Sequence, residues 1–251
     1  MNFPASINWC EYNYKVVPFI AEFWNALTGL SLCLSSFIFY KNNKKLFKPS
    51  YDPSQNKFYL VKDTGNLNRY LINANYLLFM VGIGTIFFHG TLLYIFQLFD
   101  EIPMLLITFD YIYILLTINK SKYVWFYYTK YIWCFIIITS YWIHPTLQII
   151  TFFTFFTTNI YIIILNIYYT SHIHYKETNY FVKVKVQDYL LVIGFIGVMC
   201  LTIWIIDSLF CRYVQHLYLH SMWHIVTSVL VYLFNNLLKI YIKEYNFTKI
   251  S

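Results

Sequence analysis

Long apolar runs broken by short polar segments make up most of this chain. Runs long enough to cross a bilayer as helices, about 20 residues, occur at roughly 22–40, 71–92, 97–118, 123–143, 146–168, 188–207 and 217–239. They predict an all-α fold, a seven-transmembrane helix bundle. The run at 123–143 is the least regular, because Lys130 and several Tyr occupy its first half. Residues 1–21 mix polar and aromatic side chains, include Pro4 and Pro18, and read as a non-spanning arm. The joints at 93–96 and His144–Pro145 are short, whereas 41–70 is a Lys- and Asn-rich linker. The expected domain map is an arm over 1–21, a seven-span domain over 22–241 and a tail over 242–251.

Composition agrees with a bilayer as the solvent. Hydrophobic residues make up 59% and charged ones 12%, against about 25% charged in soluble domains. No short apolar core with a cleavage site opens the chain, so the first span is expected to act as its own targeting signal. A net charge of +7 would suggest a nucleic-acid partner for a soluble protein; its distribution argues otherwise. Fifteen of the eighteen basic residues fall in 41–69, 120–122, 176–185 and 239–249, which seven spans put on one side. The positive-inside rule makes that side cytosolic. The N-terminal arm is then lumenal, the C-terminus cytosolic, and the sequons at Asn119 and Asn246 stay unglycosylated. No nucleic-acid or protein partner is indicated.

The same map sorts the cysteines. Cys33, Cys134 and Cys200 lie in spans and read as buried apolar side chains. Cys10 and Cys211 both lie outside spans on the lumenal side, where disulfides persist. A bridge between them and two unrelated thiols are both open.

Chemistry concentrates in two apolar segments. The first, GIGTIFFHGTLLYIFQLFDEIPM, carries Thr85, His89, Asp100 and Glu101, and ionisable groups inside a bilayer are usually paired or functional. Thr85 and His89 share one helix face. The second, HLYLHSMWH, holds the pairs His216–His220 and His220–His224, where random placement of seven His gives roughly 0.2 pairs at that spacing. Paired His on one helix face suits zinc. Ser-Met-Trp lies between His220 and His224, so no Glu base is built in, and a third ligand and a base must come from elsewhere. His89 and Asp100 are the intramembrane candidates. The plainer alternatives are a satisfied core histidine for His89 and a helix-start role for Asp100 and Glu101. In the arm, Asn8, Glu11, Asn13 and Glu22 bracket Trp9 as closely spaced oxygen donors, a type that suits calcium. An interfacial polar arm is the alternative.

Four separated stretches, NWCEYNY with IAEFWN, GIGTIFFH with LFDEIPM, WIIDSLFC and HSMWHI, together resemble the alkaline ceramidases, within a superfamily of seven-span hydrolases that includes adiponectin-receptor-like proteins. The resemblance implies an intramembrane zinc-dependent amidase that cleaves ceramide into a sphingoid base and a fatty acid, resident in the endoplasmic reticulum or Golgi. It implies zinc ligands at His89, His220 and His224, and a catalytic Asp100 assisted by Thr85. It implies calcium at Asn8, Trp9 (main chain), Glu11, Asn13 and Glu22, and a Cys10–Cys211 bridge. The chain departs from the family pattern twice. Asn8 stands where Asp is usual, which removes a charge from the calcium set. Thr85 stands where Ser is usual, which keeps the hydroxyl and adds a methyl. The rival readings are a related hydrolase for another lipid and a non-catalytic receptor with structural zinc.

Overall fold

The computed structural model describes residues 3–47, 50–52, 57–59, 67–174 and 180–248; Lys48, Lys62, Lys176 and Lys249 of the basic segments lie outside them. The elements are α1 (Phe23–Asn42), α2 (Lys44–Phe47), β1 (Ser50–Asp52), β2 (Lys57–Tyr59), α3 (Leu67–Thr91) and α4 (Tyr94–Ile118). A 3₁₀ helix (Lys122–Thr129) follows, then α5 (Lys130–Ile143), α6 (Pro145–His174), α7 (Tyr180–Val214), a 3₁₀ turn (Gln215–Leu217) and α8 (Leu219–Thr248). The only departure from helix among these is the antiparallel β1–β2 pair, with Ser50 opposite Tyr59. The last helix runs on into the segment expected as the tail.

Among the described residues, six helices are long and apolar enough to cross a membrane: α1, α3, α4, α6, α7 and α8. The run expected to cross at 123–143 is instead built in two pieces, the 3₁₀ helix and the 14-residue α5, and α5 alone is too short to span. Its aromatic first half, Tyr123–Tyr128, is the part wound as 3₁₀ helix. Lys130, anomalous in an apolar run, is buried and donates to the Tyr127 hydroxyl. Its charge faces Asp110 of α4, which also accepts from Asn73 at 2.5 Å.

The helices on either side of that piece run parallel. Gln97 meets Gln148 at 3.2 Å, Asn159 donates to Thr108 at 2.7 Å, and Thr170 donates to Asn119 at 2.9 Å. Each pair is 51 residues apart, so α4 and α6 keep one register along their length. Two parallel helices need a return connection between them, and the 3₁₀–α5 segment is that connection.

The core lies between α1, α3, α4 and α8, where Phe39, Leu71, Ile112, Leu115, Leu237 and Leu238 are fully buried. Small residues bring α1 and α3 together. A Cβ on Gly82 would lie 2.5 Å from the Cys33 sulfur, and one on Gly29 would lie 3.0 Å from the Gly82 carbonyl. Close backbone approach of this kind is how helices pack where lipid offers no hydrophobic drive. Helix α7 is the converse case. Leu191, Phe195 and Val198 are 74%, 73% and 66% exposed, an apolar face that water would penalise and that lipid accepts.

The N-terminal arm closes one end of the bundle. Helix α3 ends with unpaired carbonyls, as every helix does. The Ala21 and Glu22 N–H groups fill two of them, donating to Gly90 and His89 carbonyls at 3.0 and 2.9 Å. Farther along, Ala5 donates to the Leu92 carbonyl and Tyr94 to the Phe3 carbonyl, so the arm pairs with the α3–α4 turn. Leu92 takes a positive φ of 50° there.

Candidate functional site

Helices α3 and α8 carry the three histidines that the sequence nominated. His89, His220 and His224 are all buried, and one nitrogen of each lies within 4.8 Å of the others. The ring centroids are 5.3 Å (His89–His220), 5.1 Å (His89–His224) and 4.7 Å (His220–His224) apart. His216 sits in the 3₁₀ turn before α8 and is exposed, outside this cluster.

Their hydrogen bonds define which nitrogens face inward. His89 Nδ1 is 2.5 Å from Glu22 Oε2, and its Nε2 is buried without a partner. A carboxylate accepts, so Nδ1 carries the proton and Nε2 keeps its lone pair. His224 Nδ1 is 3.0 Å from the Thr28 hydroxyl. That hydroxyl also reaches the Trp24 and Asn25 carbonyls at 2.9 and 3.1 Å. Carbonyls only accept, so the Thr28 proton goes to them, which assigns the His224 proton to Nδ1 and leaves Nε2 as a donor. Buried imidazoles that converge, two of them fixed from behind by an oxygen, fit a divalent metal such as zinc.

Asp100 reaches the same region from α4. Its Oδ1 accepts from the Thr85 hydroxyl at 2.8 Å, and the same hydroxyl lies 2.9 Å from the Val81 carbonyl. The approach depends on Gly84, because a Cβ there would lie 2.4 Å from the Phe99 carbonyl oxygen and 2.7 Å from the Asp100 nitrogen. Helix α4 begins at Tyr94, so Asp100 and Glu101 sit beyond its first turn and are not helix-start residues. Glu101 turns away to Gln97, four residues back on α4, and Gln148 of α6, which both donate to it, and Ser6 of the arm joins them.

The arm residues gather around the start of α1. Glu11 caps that helix, accepting from the Trp24 and Asn25 N–H groups at 2.8 and 2.9 Å. Burial pushes its carboxyl pKa upward; the two donors oppose this and the nearby Glu22 charge adds to it. Glu22 accepts from the Trp9 N–H at 2.9 Å and from Asn25 Nδ2 at 3.0 Å. Asn8 and Asn13 lie exposed on the same arm, and the Trp9 carbonyl accepts from the Glu11 N–H. Cys10 and Cys211 are joined as a disulfide, with Cα atoms 5.4 Å apart. The Trp9 ring stacks on His220 at 3.9 Å with a 16° tilt.

Sequence reasoning missed Thr28, Asn25 and the Gln97–Gln148 pair. Asn25 carried a usable signal, since it stands three residues after Glu22 on the same helix face. Thr28 carried none, because its partner lies 196 residues away.

Comparison with known proteins adds an independent line. The ceramidase family model matches residues 2–249. Alkaline ceramidase 3 of Mus musculus is 31% identical over 118 residues, 47% of this chain and 37% of that protein. An alkaline ceramidase of Saccharomyces cerevisiae is 35% identical over 101 residues, 40% of this chain and 26% of that protein. Alkaline ceramidase 1 of Homo sapiens aligns more broadly, 24% identical over 240 residues, 90% of this chain and 78% of that protein. The matches of higher identity thus span well under half of those relatives.

Proposed function

Because the chain belongs to the ceramidase family, we propose that it is an intramembrane amidase that hydrolyses ceramide to a sphingoid base and a fatty acid, with zinc held by His89, His220 and His224. The observation that carries this reading is the convergence of three buried imidazoles with a carboxylate, Asp100, that a neighbouring hydroxyl holds in place. A zinc ion there would act as a Lewis acid and bring the ionisation of water towards neutral pH. Asp100 takes the proton from the attacking water and returns it to the amide nitrogen as the carbon–nitrogen bond breaks. Thr85 orients that carboxylate through its hydroxyl. The apolar, unpacked face of α7 supports entry of a two-tailed lipid from the bilayer.

The same reading extends to topology and to a second ion. The 3₁₀ helix and α5 together reach about 37 Å at about 2.0 and 1.5 Å per residue, enough for a core of about 30 Å. With the parallel run of α4 and α6, this favours seven crossings, a lumenal arm and a cytosolic C-terminus in the endoplasmic reticulum or Golgi membrane. Glu11, Glu22, Asn8, Asn13 and the Trp9 carbonyl form the calcium set, with a modulatory role at the end of the bundle nearest the histidines.

The test is fatty-acid release from a panel of ceramides by the purified protein, beside His224→Ala. Release that disappears in the variant is expected. A wild-type protein that holds zinc yet cleaves no ceramide would overturn the assignment of substrate.

A further inference from the structure

Two of the three metal-facing histidines have a visible reason for their orientation; the third does not. His89 is held by Glu22 and His224 by Thr28, each through Nδ1. His220 Nδ1 is buried and has no hydrogen-bond partner. One buried carboxylate close by is equally unsatisfied. Asp207 of α7 is 1% exposed, and neither of its oxygens meets hydrogen-bond geometry with any group. It lies against the main-chain N–H groups of His220 and Cys10, and its charged neighbour is Glu22, of the same sign.

An unpaired carboxylate in a buried site is expensive, and so is an unpaired imidazole nitrogen. Each supplies what the other lacks, since an imidazole bound to a metal through Nε2 must carry its proton on Nδ1 and needs an acceptor for it. The surroundings leave His220 little else to be fixed by. Its ring stacks on Trp9 at 3.9 Å and on Trp223 at 5.4 Å, both tilted by 16°. Stacked flat neighbours restrain tilting but not rotation of the ring within its own plane. A hydrogen bond in that plane, at Nδ1, would stop the rotation.

We infer that Asp207 is the positioning residue of His220. Its carboxylate, beside the His220 main-chain N–H, accepts the Nδ1 proton and so aims Nε2 at the metal, completing the set begun by Glu22 and Thr28. Asp207 stands one helical turn before Cys211, whose bridge to Cys10 holds the neighbouring Trp9 over the same ring. Arm, α7 and α8 therefore all converge on one imidazole. The inference rests on the zinc reading above, and its test is a binding measurement that does not need ceramide hydrolysis.

The full-length protein is stripped and reloaded, and its zinc affinity is measured by competition with a chelator of known strength. Cobalt-loaded samples supply the visible absorption bands that report ligand geometry. Asp207→Ala is expected to weaken zinc binding about 10- to 100-fold and to shift the cobalt bands. Asp207→Asn, which keeps an acceptor oxygen but not the charge, is expected to fall between Asp207→Ala and wild type. Asp188→Asn, an exposed carboxylate on the same helix, should change neither. A purely structural Asp207 would lower the melting temperature of the metal-free protein and leave affinity and cobalt bands alone. Folded variants that bind zinc within about twofold of wild type, with unmoved bands, would overturn the inference.

Should neither variant fold, nitrogen-15 spectra of the zinc-loaded wild type decide. Metal on Nε2 of His220 with a hydrogen-bonded Nδ1 proton is expected, and metal on Nδ1 overturns the proposal. A wild-type protein that takes up no zinc would sink the zinc reading itself, and this inference with it.

Discussion

Replacing Gly84 by Ala tests whether the spacing of α3 and α4 sets the active geometry. The added methyl would begin 2.4 Å from the Phe99 carbonyl oxygen, 2.5 Å from its carbon and 2.7 Å from the Asp100 nitrogen. Ordinary contacts of this kind lie near 3.5 Å, so the helices must part by about 1 Å. All three obstacles are main-chain atoms, so no side chain can swing aside. The 2.8 Å bond from Thr85 to Asp100 would stretch towards about 3.8 Å, beyond a hydrogen bond. Misplacing a catalytic group by that much lowers turnover about 10²-fold. Stability changes less, because overpacking costs about 1–3 kcal/mol while Ala in a helix recovers about 1 kcal/mol over Gly. The histidines sit on α3 and α8, not α4, so zinc binding by them should persist. The assay is ceramide hydrolysis with zinc content and melting temperature on one preparation, beside Gly194→Ala, where an added methyl meets nothing within 4 Å. A folded Gly84→Ala enzyme within about threefold of wild-type turnover would refute the reasoning, since about 1 Å should be worth far more.

Three further outcomes are expected. Glu22→Gln removes the anionic acceptor of His89 Nδ1 and should weaken zinc binding about 10- to 100-fold; chelator competition reads it, and unchanged affinity counts against the assignment. Burial raises the Glu11 pKa, so its contribution to stability is full below its unfolded pKa of about 4.3 and is lost as pH rises through the higher folded value. Calcium on that carboxylate should flatten the loss, and melting curves across pH that superimpose with and without calcium would remove Glu11 from the site. Seven crossings put the two termini on opposite faces, so tags at either end of the protein in sealed microsomes should differ in protease access; equal access of both would leave only an even number of crossings.

The fold was legible wherever hydropathy alone decides. Helices α1 and α4 begin and end within about three residues of the expected runs, because an apolar stretch between polar flanks has one favourable place in a bilayer. Hydropathy says less about the run at 123–143, which is wound as a 3₁₀ helix followed by the short α5. Lys130 reads as a flaw in an apolar run until Tyr127 and Asp110 are seen beside it, and Asp110 lies on another helix. The histidines were legible for a similar local reason, since a four-residue spacing is a statement about one helix face. Asn25 was within reach of the same logic, three residues from Glu22. Thr28 and Asp207 were not, because each acts on a histidine of α8, and only the fold brings those groups together.

Glu22 shows why arm and histidines belong to one device. It opens α1 as the residue before Phe23, and its own N–H caps α3 at the His89 carbonyl. Its side chain then turns back to the His89 ring, while its second oxygen accepts from the Trp9 N–H. Main chain and side chain thus both contact His89, and the ring cannot move without the arm. Trp9, held by that second oxygen, lies over His220 on the other helix of the cluster. One carboxylate therefore touches a histidine on α3 directly and a histidine on α8 through a single intervening ring. A cation drawn to Glu22 and Glu11 would polarise the acceptor of His89 Nδ1 and fix the position of Trp9 at once. Control of the histidine cluster by the arm needs no long pathway, because the arm supplies part of the cluster's own support.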